Sequence, residues 1–145
     1  MKTNSESRII KDFLEKGKST EFPVIDMHGH YGTFSGIYFP RPEAEGMIDT
    51  LKSCGVERIV CSPHTALSEE PERGNKLMKK VVEKHPEYFL GYWLINPNYP
   101  RIIEKDLNKF EEQEGFIGFK FHPSSHKRPL SGEEYRPALE YADYK

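Results

Sequence analysis

Residues 24–30 read VIDMHGH: a short apolar run, one acid, then two histidines around a glycine. Pro23 opens the run, and Val24 to Met27 reads as a strand that gives way to a glycine-containing loop. Working outward, the same event recurs three times. VERIVC (Val56 to Cys61) is a second apolar run, broken by SPH. YFLGYWLI (Tyr88 to Ile95) is a third, punctuated by NPNYP, and FIGFKF (Phe116 to Phe121) is a fourth, followed by the polar HPSSHKRPLSG.

Helical patterns fill the intervals. RPEAEGMIDTLKSCG sets Ala44, Met47, Ile48 and Leu51 on one face, with Pro42 in the first turn and Gly55 as the stop. PERGNKLMKKVVEKHP carries Leu77, Met78, Val81 and Val82 at helical spacing and ends at His85-Pro86. A helix from about Arg101 to Glu114 turns Ile103, Leu107 and Phe110 one way and stops at Gly115. Residues 1–22 form a helical extension, in which Thr3 and Glu6 fit a capping box, Ile9, Ile10, Phe13 and Leu14 make an apolar stripe, and Gly17 ends the helix. The final EEYRPALEYADYK starts another helix, re-initiated at Pro137.

Strands recurring about every 30 residues, with a helix between each pair, define the βαβ unit and an α/β fold. The strands are apolar almost throughout, as expected when helices cover a parallel sheet. Four such units suit a small open sheet or half of an eight-stranded barrel. Both architectures bind ligands beyond the C-terminal ends of the strands. His28, His30, His64, Asn96, Asn98, Lys120 and His122 all fall there.

The totals agree with one domain that has a real core: 145 residues, 36% hydrophobic and 30% charged. A formal charge of −2 gives no general attraction to nucleic acid or anionic membrane. No apolar run approaches the roughly 18 residues that span a bilayer. MKTNSESRIIKDF lacks the apolar stretch of a secretory signal, so a cytoplasmic protein is expected. Cys54 and Cys61 fit reduced thiols, with Cys61 a small core residue. No GxGxxG, P-loop or GxSxG occurs. A small-molecule substrate is the expected partner.

Side chains repeat every two residues along a strand, so His28 and His30 share a side and can offer two nitrogens to one ion, with Gly29 leaving room between them. Asp26 either orients an imidazole or bonds neighbouring loop amides. Lys120 opposes Phe119 and Phe121, and an ammonium inside an apolar strand needs a partner or a cavity. It can pair with a substrate anion, or be carboxylated and bind metal. His122 follows Lys120 by two residues, so both are candidates for catalytic work facing inward. His64 lines the mouth or caps the next helix. His85 and His126 read as surface residues, and Trp93 as core.

VIDMHGH, MIDTLKSCGVERIVCSPH, NKLMKKVVEKHPEYFLGYWLINPNYP and GFIGFKFHPSSHKRPLSGEEYRPALEYA, in that order, resemble the amidohydrolase superfamily. The likeness runs from about Pro23 to the last residue. It is nearest the amidohydrolase-related group of small metal-dependent hydrolases and aminocarboxymuconate-semialdehyde-type decarboxylases. The resemblance implies a (β/α)8 barrel of TIM type, about 250 residues when whole. It makes His28 and His30 ligands of a divalent metal, expected to be zinc, and puts Lys120 where some branches carry a carboxylated lysine or a glutamate ligand. It implies hydrolysis of a small carbonyl compound by metal-activated water, or decarboxylation in one branch.

The family's histidines on strands 5 and 6 and its strand 8 aspartate have no counterpart before the chain stops. The expectation is therefore residues 23–145 as the N-terminal half of such a barrel, incomplete and inactive alone. Its partner would be a second copy in a homodimer or a complementing C-terminal half. A PHP-type phosphoesterase is the enzyme rival, because that family also opens on DxHxH and some members carry a TPH like the SPH here. A non-catalytic half-barrel remnant is the rival of another class.

Overall fold

The apolar runs of the sequence assemble into one parallel sheet in the computed structural model, which describes residues 7–68 and 70–144. Its strands are β1 (Ile25–Tyr31), β2 (Arg58–Pro63), β3 (Phe89–Leu94) and β4 (Phe116–Lys120). They are paired in chain order, and every pair is parallel. Sequential order without reversal is the winding of a barrel wall; a doubly wound sheet reverses at a switch point. The chain is thus four βα units of a (β/α)8-type wall, with a helix in front.

The helices are α1 (Arg8–Lys16), α2 (Ala44–Cys54), α3 (Pro71–Lys84), α4 (Pro100–Leu107), α5 (Pro123–His126) and α6 (Arg136–Tyr144). The core lies between the sheet and this layer: Ile48, Leu51, Ile59, Cys61, Met78, Val81, Phe89 and Trp93 form one buried cluster. Among the described residues no helix is long and apolar enough to cross a membrane. Gly17 and Gly55 end α1 and α2 in the left-handed region (φ 71° and 69°), as their positions in the sequence require.

Several boundaries differ from the sequence reading. β1 runs on through His28, Gly29 and His30 to Tyr31, so the two histidines belong to the strand. β2 likewise includes Ser62 and Pro63. α2 begins at Ala44, because extended Glu43 takes the N-cap and leaves Pro42 outside the helix. The long helix expected from Arg101 to Glu114 ends at Leu107 and is replaced by a 3₁₀ turn at Phe110–Glu112. In α3 the buried face is Gly74, Asn75, Met78, Val81 and Val82, while Leu77 stays 38% exposed. The capping box of Thr3 and Glu6 lies outside the described residues.

Burial is uneven across the sheet. β2 and β3 are almost wholly buried, but among the described residues β1 and β4 each have one unpaired edge. Ile25, Met27 and Ile117 on those strands are exposed. The stripe of α1 is also exposed, with Ile9, Phe13 and Leu14 largely uncovered and only Asp12 buried. Carboxylate Asp12 instead anchors α1. It accepts from the Thr20 hydroxyl (2.8 Å) and amide and pairs with Lys16 (2.6 Å), contacts that hold its pKa well below the usual carboxylate range.

Candidate functional site

The side chains gathered at the C-terminal edge come from both ends of the sheet. His28 and His30 project from the same side of β1, with ring centroids 5.2 Å apart. Between them, Gly29 faces the opposite way. A Cβ there would come within 2.6 Å of Ile59 and 2.7 Å of the Cys61 sulfur. Gly29 therefore lets β1 pack on the core, and does not make room for an ion between the imidazoles.

The pairing of β1 with β2 slips between Asp26 and Gly29: two residues of β1, Met27 and His28, lie opposite one of β2, Val60, a β-bulge. Bulges re-aim the side chains beside them. Asp26 fastens this one, its Oδ1 accepting from the His28 amide at 2.9 Å. Of the two roles open to Asp26, the structure shows the bond to a neighbouring amide.

Lys120 reaches across from the far edge. Its Nζ lies 2.8 Å from His28 Nε2. Three strand spacings in a flat sheet amount to about 14 Å, so this contact needs the curl of a barrel wall as well as the length of a lysine. An ammonium only donates, so Nε2 accepts and its lone pair points at Lys120. Burial lowers the pKa of Lys120. Phe119, on the other face of β4, packs its ring at a tilt against Phe110 and Tyr141 of the helical layer, as the alternation requires.

His30 is the electrostatic centre of the group. Burial, then the nearby charges of His64, Lys120, His28 and His122, holds its pKa down to about 4. His30 is therefore neutral at pH 7. His64 lies flat against it, with centroids 4.9 Å apart and planes 2° apart. Its Nδ1 donates to the Gly32 carbonyl at 2.9 Å, which fixes the tautomer with the lone pair on Nε2. His64 is buried, flanked by Phe34 and Phe39, and it backs the ring of His30 instead of capping a helix. His122, by contrast, caps α5: its Nδ1 accepts from the Ser125 amide at 3.2 Å.

Two histidines depart from the surface reading. His126 is buried, its Nδ1 2.7 Å from the hydroxyl of Tyr135, because the short helix α5 folds it under the rim. His85 is mostly covered where α3 turns into β3, 3.8 Å from Glu45. Trp93 is core as expected, and its indole donates to Asp106 at 2.7 Å. Cys61 is buried, and burial raises its thiol to about 12.

Asn96 and Asn98 brace the rim. Asn96 donates to the Ser68 carbonyl and accepts from Asn98, which donates to the His126 carbonyl. These bonds tie together the loops after β2, β3 and β4. Asn75 went unread in the sequence: fully buried on α3, it bonds both the amide and the carbonyl of Leu94 at 3.0 Å. Its signal was a polar residue interrupting an apolar helical face.

As a metal site the donor chemistry fits in part. Two imidazoles line one mouth, and the Nε2 lone pair of His28 is taken by Lys120, which an ion bound there would displace. Among the described residues no three His, Cys, Asp or Glu side chains are grouped to hold one ion.

No family model matches the chain, and no curated protein matches it. Solved structures do. One is 5-carboxyvanillate decarboxylase from Novosphingobium aromaticivorans with bound manganese and a nitrobenzoic acid ligand. It has a TM-score of 0.66 at 13% identity over 86% of this chain and 49% of that one. A dihydroxybenzoic acid decarboxylase from Polaromonas sp. JS666, with manganese and 2-nitroresorcinol, gives 0.65 at 16% identity, covering 84% and 46%. A 2,6-dihydroxybenzoate decarboxylase from Rhizobium gives 0.60 at 12% identity, covering 84% and 47%. At these identities the likeness is one of fold. The chain spans about half the length of each.

Proposed function

We propose that this chain supplies the strand 1 and strand 4 part of a metal-dependent enzyme of the amidohydrolase superfamily, acting on a small carboxylate or carbonyl compound. One observation carries the reading: residues 92 positions apart, His28 and Lys120, meet at 2.8 Å at a mouth shared with His30. Structural ion pairs do not need an HxH pair at that spot. His28 and His30 would hold a divalent ion together with ligands from outside the described residues. Such an ion, when bound, would supply polarisation of a substrate oxygen or a bound water of pKa about 7.

The remaining roles belong to the protein. His30, kept neutral by burial, has a nitrogen free of its proton at pH 7. His64 fixes the plane of that ring. Lys120 offers a cation to an anionic substrate oxygen, and His122 sets the loop beside it by capping α5. A cation placed beside the metal-facing imidazole suits a substrate carboxylate, which favours decarboxylation; the decarboxylases that share the fold support the same choice. Hydrolysis of a small carbonyl compound is the second reading, supported by the exposure of His28 to water. Manganese and zinc are both candidates, manganese from those neighbours and zinc from the imidazole ligands.

The test is a substrate panel on the chain within its completed barrel, with manganese or zinc added: hydroxybenzoates for CO2 release, carboxyl esters and amides for hydrolysis, phosphate esters for phosphate. We expect CO2 release that disappears in His28→Ala and Lys120→Ala while the far-UV CD stays unchanged. Phosphate release without carbon chemistry would move the chain to the phosphoesterase reading. Silence on all substrates, with no metal uptake, would leave the half-barrel remnant.

A further inference from the structure

The helices outside the middle of the sheet carry an uneven charge. NKLMKK (residues 75–80) and EKDLNK (residues 104–109) each repeat lysine at short spacing. Between α3 and α4 these stretches border a groove of about 230 Å³, with Trp93 of β3 in its wall. Lys76, Lys79, Lys105 and Lys109 line it against only two carboxylates, Glu72 and Asp106. The chain as a whole has a formal charge of −2, yet this groove has an excess of two positive charges. It lies inside the run of βα units, so neither outer strand contributes to it.

The surrounding groups do not neutralise that excess. Glu72 is engaged by Lys105 at 2.6 Å, and Asp106 accepts from the Trp93 indole at 2.7 Å. Lys79 is oriented by a neutral partner, the side-chain oxygen of Gln113 at 2.8 Å, with Glu83 at 3.8 Å. Gln113 in turn donates to the Lys109 carbonyl at 2.8 Å, so a chain of bonds links α3 to the turn after α4. Among the described residues Lys76 and Lys109 form no ion pair. Like charges that share a face repel one another, and an anion placed between them replaces that repulsion with attraction.

We propose that the groove binds a small phosphate-bearing anion, either inorganic phosphate or a small phosphomonoester. A phosphate group carries close to two negative charges at neutral pH, which matches the excess. Lysine meets it as a point charge with three donors. The volume limits the size. About 230 Å³ lies below the roughly 300–1,000 Å³ of pockets that enclose drug-sized ligands, so a nucleotide does not fit. None of these residues belongs to the group of His28, His30 and Lys120, so the proposal does not rest on the metal reading.

Calorimetry on the chain within its completed barrel tests it, at constant ionic strength, with inorganic phosphate and glycerol phosphate as separate ligands. We expect saturable binding and a matching shift of the Trp93 indole N–H signal in NMR. Lys76→Gln combined with Lys109→Gln should weaken the affinity about tenfold or more. Both side chains are exposed, so the far-UV CD should not change. Lys80→Gln, on the same helix but outside the groove, and Lys120→Ala should each leave the affinity as it was. Tighter binding of the ester supports a phosphomonoester as the ligand, and tighter binding of the free ion supports inorganic phosphate. No saturable binding of either anion overturns the proposal. So does binding that chloride reproduces, or that falls with Lys120→Ala and not with the lysine pair. Tighter binding of succinate, a dicarboxylate of the same charge, overturns the assignment to phosphate. The Trp93 signal is read on the unsubstituted protein, so its failure to move contradicts the proposal even where a variant does not fold.

Discussion

The central and the outer strands of this sheet do different things. β2 and β3 are buried almost end to end, with Val60, Cys61 and Phe89 wholly out of solvent. β1 and β4 keep exposed faces, yet they carry His28, His30 and Lys120. The hydrophobic effect scales with the apolar area removed from water, so the centre holds the fold, and the outer strands carry the candidate site residues. A substitution in the centre should be felt as lost stability, and one on an outer strand as lost binding.

The largest effect should come from the centre. Phe89→Ala removes a fully buried ring and should cost about 3–5 kcal/mol in urea unfolding. Asn75→Ala should follow at about 1–3 kcal/mol, because it strands the buried amide and carbonyl of Leu94. Gly29→Ala sharpens the comparison. It sits on an outer strand, but its missing side chain faces Ile59 and Cys61, so overpacking should cost about 1–3 kcal/mol despite the exposed strand. If Gly29→Ala proves neutral, the strand is looser than its contacts indicate.

Acid should act next, and locally. The pKa of Asp12 is held below its ordinary 3.8, chiefly by its hydrogen bond with Lys16 and then by the Thr20 amide. Its contribution is therefore fully present above about pH 4 and is lost as pH falls below that. The protection of α1 amides against exchange, relative to their intrinsic rates, should fall in acid, and Asp12→Asn should remove that pH dependence. The smallest effect belongs to Met27→Thr, which should change stability by no more than about 0.5 kcal/mol in the same urea titration.

The order of elements was legible because strand and helix periods differ, and because Gly17, Gly55 and Gly115 stand at positive φ where the pattern stops. The candidate ligands were legible for the same reason: HxH on a strand points two side chains one way. Three things were not. The bulge at Asp26–Gly29 arises from pairing with β2, which no local pattern encodes. The contact of Lys120 with His28 depends on the curl of the whole sheet. The burial of His126 depends on Tyr135, brought over it by the chain after α5. The exposed stripe of α1 shows the converse: an amphipathic helix reads the same whether or not its apolar face is covered.

The central claim is that His28 and His30 form one metal-facing pair and that His85 and His126 take no part in it. Titrating Mn²⁺ into the chain and following the histidine ring signals by NMR tests it most directly, since the paramagnetic ion broadens only nearby protons. The account predicts that His28 and His30 broaden first, at substoichiometric metal, that His85 and His126 stay sharp, and that His30→Ala abolishes the effect at His28. Uniform broadening of all six histidines, or an ion drawn first to His85 or His126, would contradict it.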